Sequence, residues 1–156
     1  MNIKLIAIGK TDNKNLQALI DEYTKRLGFY IKFDLDIIPD VKNVKNLSES
    51  EQKTKEGQLI LSKLTPTDQL ILLDENGKEF NSVGFSDFLQ KKMNSGIKTL
   101  VFVIGGPYGF SEEVYQKAQG KVALSQMTFS HQMVRLFVIE QIYRGFTILN
   151  NEPYHH

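Results

Sequence analysis

The sequence predicts an α/β fold, with a mainly parallel sheet flanked by helices. Three observations predict it. Apolar runs of strand length alternate along the chain with segments of helical periodicity, the pattern of a parallel sheet crossed by helices. The run Leu100–Ile104 empties into Gly105-Gly106-Pro107-Tyr108-Gly109, as a buried strand does when its carboxyl end admits a ligand close to the main chain. Finally, 156 residues at 41% hydrophobic suffice for one compact domain, 1–156, with a real core.

Taken in order, Asn2–Ile8 reads as a first strand that ends at Gly9. Leu16, Leu19, Ile20, Tyr23 and Leu27 then recur at helical spacing, and Gly28 stands at the C-cap position. Ile31, Phe33, Leu35 and Ile37 alternate with Lys32, Asp34 and Asp36, which predicts a half-exposed strand stopped by Pro39. Asp40–Leu47 is polar and lysine-bearing and reads as a mobile loop. Ser48 with Glu51 makes a capping-box pattern that opens a helix to about Leu64. Thr65–Asp68 turns the chain into a second buried strand, Gln69–Leu73, and Asp74-Glu75-Asn76-Gly77 reads as a turn at its end. Val83–Asn94 reads as a helix closed by Gly96, and Leu100–Ile104 as the next strand. Ser111 with Glu112 and Glu113 opens another helix, because acids favour the positive end of the dipole. Val122–Leu124 is a short strand, and Gln132–Leu149 is the last and longest helix. No internal repeat or linker interrupts this series.

Composition excludes several function classes. There is no cysteine, so disulfides, thiolate nucleophiles and Cys-based zinc sites are ruled out. The three histidines, His131, His155 and His156, lack metal-ligand spacing, so no metal is expected. No apolar run approaches the roughly 18 residues needed to span a membrane, and the amino-terminal stretch lacks a secretory pattern. A cytoplasmic location is the expectation. The net charge is +1, with 14 basic and 14 acidic residues in 1–96 and 5 and 4 in 97–156, so neither half is a basic domain. Any nucleic-acid binding must come from a local patch, from shape, or from two subunits pooling their charges.

The last helix is apolar over more than one stripe, from Met133 and Val134 through Phe137, Ile142 and Phe146 to Leu149. A helix on a monomer's surface shows an apolar arc of only about 100° or slightly more. The excess predicts a second covering surface, read here as another subunit of a homodimer, over a helix buried within one chain.

The glycine loop is not a dinucleotide fingerprint: it lacks the G-x-G-x-x-G spacing, follows the fourth strand, and no ribose-binding acid ends the next one. No Gly-Lys-Ser/Thr follows, so it is not a Walker loop either. Clustered with the small-polar stretch Ser125–Ser130, it reads as a ligand site rather than a bare turn. His131 stands at the start of the last helix, where the dipole disfavours a cation, and Arg135 follows four residues on along the same face. Such a pair suits an anionic or imide-bearing substrate; a capping histidine beside a surface arginine is the plainer alternative. Glu140 and Arg144, also four apart, read as an ordinary helix salt bridge. In the tail, Tyr154 could stack a base, and His155 and His156 could bind phosphate or move protons, unless the terminus frays.

Several stretches together resemble the small SPOUT-class methyltransferases of bacterial large-subunit ribosomal RNA. They are Ile6-Ala-Ile-Gly-Lys10, Lys55-Glu56-Gly57, Leu73-Asp74 with Gly77-Lys78, Phe102–Gly109, Leu124–His131, Arg135, Glu140–Arg144 and Pro153-Tyr154-His155. The resemblance runs end to end in register. It implies a SPOUT-type fold whose C-terminal segment forms a trefoil knot, an exception to the rule against threaded chains. It implies S-adenosylmethionine as cofactor, cradled by main chain from Leu73, Gly105, Leu124, Ser125, Gln126, Met127, Thr128 and Phe129. It also implies a homodimer with each site at the subunit interface, acting on N3 of a pseudouridine in 23S rRNA of the assembled ribosome. Catalysis would then fall to His131, Arg135, Tyr154 and His155: a histidine assisting deprotonation, Arg135 stabilising developing charge, Tyr154 holding the base. A ribosome-binding factor that keeps the knot without the chemistry is the alternative from another class.

Overall fold

A computed structural model of the chain describes residues 1–156. The elements run β1 (Asn2–Ile8), α1 (Lys14–Leu27), β2 (Phe33–Ile38), α2 (Glu49–Ser62), β3 (Gln69–Glu79), α3 (Ser82–Asn94), β4 (Thr99–Ile104), α4 (Glu112–Lys117), β5 (Gly120–Ala123) and α5 (Met133–Leu149). Single 3-10 turns lie at Val44–Asn46 and Pro153–His155. The five strands form one parallel sheet in the order β2-β1-β4-β3-β5.

Both faces of the sheet are covered, which is why its central strands are apolar without alternation. On one face Ile3, Leu5, Leu100 and Phe102 pack with Ile20 of α1, Leu89 of α3, and Ile139 and Ile142 of α5. On the other, Ile6, Leu70, Leu72 and Val103 pack with Ile60 of α2 and Val114 of α4. The helix starts follow local chemistry. The side chains of Asn13, Ser48, Asn81 and Ser111 each accept a first-turn amide, satisfying donors that have no partner within the helix.

Five details differ from the sequence expectation. Asp74–Gly77 is not a turn: β3 runs on to Glu79, and its pairing with β5 shifts register between Leu73 and Lys78. Gly77 is what permits this, since a Cβ there would stand 2.6 Å from the backbone N and C of Val122. The short strand lies at Gly120–Ala123, leaving Leu124 free to enter the following loop, and β2 begins only at Phe33. Within the stretch read as a loop, Asn43 takes left-handed backbone (φ 58°) to start the first 3-10 turn. Lastly, α5 is covered largely by its own chain. Val138, Ile139, Ile142 and Phe146 are buried in the core it shares with α1 and α3, leaving only Met133 and Phe137 of its large apolar residues exposed. The excess assigned to a partner is therefore smaller than the helix alone suggests, because α5 lies against α1 and α3 as well as the sheet.

Candidate active site

The carboxyl ends of β3 and β4 open into a cavity of about 460 Å³. Its walls are Leu73–Asn76 of β3, the loop Ile104–Phe110, Tyr115 of α4, and the stretch from Val122 through Phe129 to His131 and Val134. Parallel sheets place ligand crevices at this end, where strands stop and loops diverge. Of the residues expected to hold the cofactor, Leu73, Gly105, Leu124, Ser125, Met127, Thr128 and Phe129 all line the cavity; Gln126 is exposed and stands outside it. The second loop is braced by its own serines: Ser125 Oγ accepts the Met127 amide at 3.0 Å, and Ser130 Oγ accepts that of Met133 at 3.0 Å. An apolar cleft of about 220 Å³, floored by Phe80 and Phe85, continues from it past Val122, Leu124 and Phe129.

The charge of this cavity narrows the ligand class. Its formally charged side chains are Asp74 and Glu75, and neither Lys nor Arg lines it. Asp74 is held in place, accepting the Asn76 amide at 2.8 Å and the Tyr115 hydroxyl. Burial, then the bond to Asp74 and its negative charge, push the Tyr115 phenol up to about 12. With no cation to meet phosphates, the cavity does not suit a polyphosphate nucleotide. It suits a ligand with an apolar ring and a positive centre.

A second pocket, of about 330 Å³, lies beside the first at the carboxyl ends of β1 and β4. Ile104, Gly105, Gly106, Pro107 and His131 face both. Arg135 lines this second pocket at 1% exposure. Each of its three nitrogens bonds inside the chain, to the carbonyls of His131 (3.0 Å) and Ile8 (2.9 Å) and the Thr11 hydroxyl (3.1 Å). Burial lowers its pKa, while the charges of Asp12 and Asp40 act to raise it. His131 and Arg135 therefore do not act as one outward-facing pair. His131 is exposed at the rim, and Arg135 ties the start of α5 to the end of β1. Gln132 adds to that tie by accepting the Asp12 amide at 2.9 Å.

Tyr154 and His155 lie elsewhere. They line neither cavity, and the terminus is pinned rather than frayed. The Tyr154 hydroxyl donates to Glu140 at 2.9 Å and lies 3.2 Å from the Tyr23 hydroxyl; its ring sits under Arg144, with 4.7 Å from guanidinium carbon to ring centre. Arg144 bonds Glu140 at 2.6 Å and reaches His155 Nδ1 at 3.2 Å. The Glu140–Arg144 pair is thus a salt bridge and also the tail's anchor. Because an arginine only donates, Nδ1 of His155 is the acceptor in this contact and Nε2 carries the hydrogen. Burial, followed by the bonds to Tyr23 and Glu140, raises the Tyr154 phenol well above its ordinary value.

Glu56 lines the second pocket, although no motif or spacing in the sequence assigns it a role. It is 2% exposed in α2, both carboxylate oxygens lack hydrogen-bond partners, and it stands against Gly106. The only signal was the triplet Lys55-Glu56-Gly57, in which an acid occupies the helix's buried face.

Comparison with known proteins agrees with this architecture. The family described as "Predicted SPOUT methyltransferase" matches residues 1–155. A protein of Flavobacterium johnsoniae named "Ribosomal RNA large subunit methyltransferase H" is 85% identical over 156 residues, covering 100% of this chain and 99% of that protein. Proteins of the same name from Christiangramia forsetii and Porphyromonas gingivalis are 65% and 53% identical, with the same coverage. With a parallel sheet, a glycine-walled cavity at the strand ends and an end-to-end family match, the chain belongs to the SPOUT methyltransferase family.

Proposed function

We propose that the chain transfers the methyl group of S-adenosylmethionine to N3 of a pseudouridine in 23S ribosomal RNA, on the assembled ribosome. The observation that carries this reading is the larger cavity: main chain at Gly105 and Leu124, an acidic edge at Asp74 and Glu75, and no cation. The names of the relatives, each a large-subunit ribosomal RNA methyltransferase, support the substrate class. Leu73, Gly105 and the stretch Leu124–Phe129, Gln126 included through its main chain, would hold the cofactor. In this reading the C-terminal segment threads a loop to form the trefoil knot, and the stretch Ser125–His131 leads into it. Its packing opposite Ile104–Phe110 across one cavity is consistent with that.

S-adenosylmethionine supplies an electrophilic methyl on a positively charged sulfur. The chain's own residues supply position, which is worth most in a transfer between two bound groups. His131 stands at the rim shared by both pockets and can orient the incoming base. Arg135 fixes the wall on which the base rests. Tyr154 and His155 are ordered yet lie apart from their own chain's cavity, so they serve the cavity of a second copy, which makes the enzyme a homodimer. The exposed apolar residues Met127, Phe129, Met133 and Phe137, near the cavity, are the surface for that copy. His155 presents Nε2–H, a donor suited to a base carbonyl. No helix is long and apolar enough to cross a membrane, and a cytoplasmic enzyme working on ribosomes is the setting proposed.

His155→Ala is expected to lower turnover on ribosomes by about 10- to 100-fold while leaving cofactor affinity within about twofold. Turnover equal to the parent would remove the tail from the reaction. Mass spectrometry of 23S rRNA from a strain lacking this chain tests the whole reading: one methylated pseudouridine should lose its methyl group, and an unchanged spectrum would refute it. A non-catalytic binding factor would show no heat on titration with S-adenosylmethionine.

A further inference from the structure

The imide N3 of the target base must lose its proton before it can attack a methyl group, and neither His131 nor His155 is placed to take it. His155 has committed its free nitrogen to Arg144, and His131 sits at the exposed rim. We propose that Glu56 takes the N3 proton, in the pocket between the carboxyl ends of β1 and β4. This rests on the methyl-transfer reading above.

Three observations carry it. Both oxygens of Glu56 are buried without a hydrogen-bond partner, although a buried carboxyl normally has one. None of the chain's salt bridges includes it, and the Gln52 side chain is the one group that favours its charged form, so the carboxyl has no counter-ion and has room for a donor brought from outside. The pocket it lines shares a wall with the cofactor cavity, and that wall is bare main chain at Gly105 and Gly106. A Cβ on Gly106 would stand 1.9 Å from Glu56 Oε2, so the carboxyl fills the space a side chain would take. Because no Cβ stands on this wall, the base can approach both the carboxyl and the methyl donor closely across it.

The surroundings suit a base of more than ordinary strength. Asp40 and Asp12 face this pocket from the loops after β2 and β1, Lys10 from the latter loop, His131 and Arg135 from the start of α5, and Gln52 from the turn of α2 before Glu56. Burial raises the Glu56 carboxyl first, and the charge of Asp40 adds to that; Gln52 opposes it. In the step itself the N3–H bond breaks and an O–H bond forms on Glu56. The N3 electron pair forms the N–C bond as the C–S bond breaks, its electrons returning to sulfur as a neutral thioether. The proton then leaves Glu56 through the pocket to water.

Glu56→Gln keeps the shape and removes the base. Turnover on unmodified ribosomes is expected to fall by about 100-fold or more, with S-adenosylmethionine affinity by calorimetry within about twofold. Glu56→Asp should recover part of the rate, with the acid limb of its pH profile displaced. Thermal unfolding gives a readout independent of activity. A carboxyl whose folded-state pKa is raised favours the fold at low pH and disfavours it as pH climbs through that raised value. The parent should therefore lose stability relative to Glu56→Gln as pH rises above the ordinary carboxylate range, and Glu56→Gln should melt higher there. Three results would overturn the proposal: parent-level turnover in Glu56→Gln, cofactor affinity falling in step with turnover, or an acid limb unmoved in Glu56→Asp. Should Glu56→Gln not fold, the Glu56→Asp profile decides alone. If the parent itself transfers no methyl, the functional reading falls and this falls with it; if only the variant comparison fails, the functional reading stands.

Discussion

Arg135→Ala is expected to reduce the unfolding free energy by about 3 kcal/mol, a large share of the stability of a domain this size. The side chain is 1% exposed and bonds three oxygens from two parts of the chain. Removing it leaves the Ile8 and His131 carbonyls without that donor and opens a void beneath the smaller pocket. The loss is partly offset, because the guanidinium is itself held in burial, which lowers its pKa. Arg135→Met, which keeps volume and removes both charge and donors, separates the two terms. It should lose about 1–2 kcal/mol, the cost of unpaired carbonyls alone. Chemical denaturation at matched m-values measures both. An alanine variant within about 1 kcal/mol of the parent would show that the start of α5 is held to β1 by something else.

Gly106→Ala is expected to weaken S-adenosylmethionine binding by about tenfold or more. The added Cβ falls 1.9 Å from Glu56 Oε2 and 2.7 Å from its Cδ, so either the carboxyl is displaced or the loop is pushed into the larger cavity. Overpacking of this kind costs about 1–3 kcal/mol, and 1.4 kcal/mol is a factor of ten in affinity. The cause can be isolated by pairing the change with Glu56→Ala. The double variant should regain most of the cofactor affinity, since the collision is gone. It should not regain turnover if Glu56 takes the proton. Parent-level affinity in Gly106→Ala alone would mean that the Glu56 carboxyl gives way and the loop keeps its place.

Strands and helix starts were legible because local chemistry decides them. Ser48 and Ser111 cap the helices they were expected to open, and Leu100–Ile104 is the central strand β4. The course of β3 past Leu73 was not legible. Asp74-Glu75-Asn76-Gly77 has the composition of a turn, but Tyr115 and the Asn76 amide bond Asp74, and Gly77 lets β5 come close enough to pair. The Asn76 amide is local, but Tyr115 lies 41 residues from Asp74 in sequence, and β5 is as remote, beyond any local pattern. The cavity-lining residues could be read from the glycines and the Leu124–Phe129 stretch. The fate of Arg135 could not, because helical spacing places it on the face of His131 without saying that Ile8 and Thr11 would claim its donors. Glu56 was hidden for the same reason: its burial depends on Gly106, which reaches it only in the folded sheet.

The central claim is methyl transfer to ribosomal RNA, and it is tested most directly with the purified chain, labelled S-adenosylmethionine and ribosomes from a strain that lacks this chain. Label should appear in 23S rRNA, on a single pseudouridine, and only when intact ribosomes are supplied. Labelled cofactor that binds but leaves the RNA unlabelled would contradict the account.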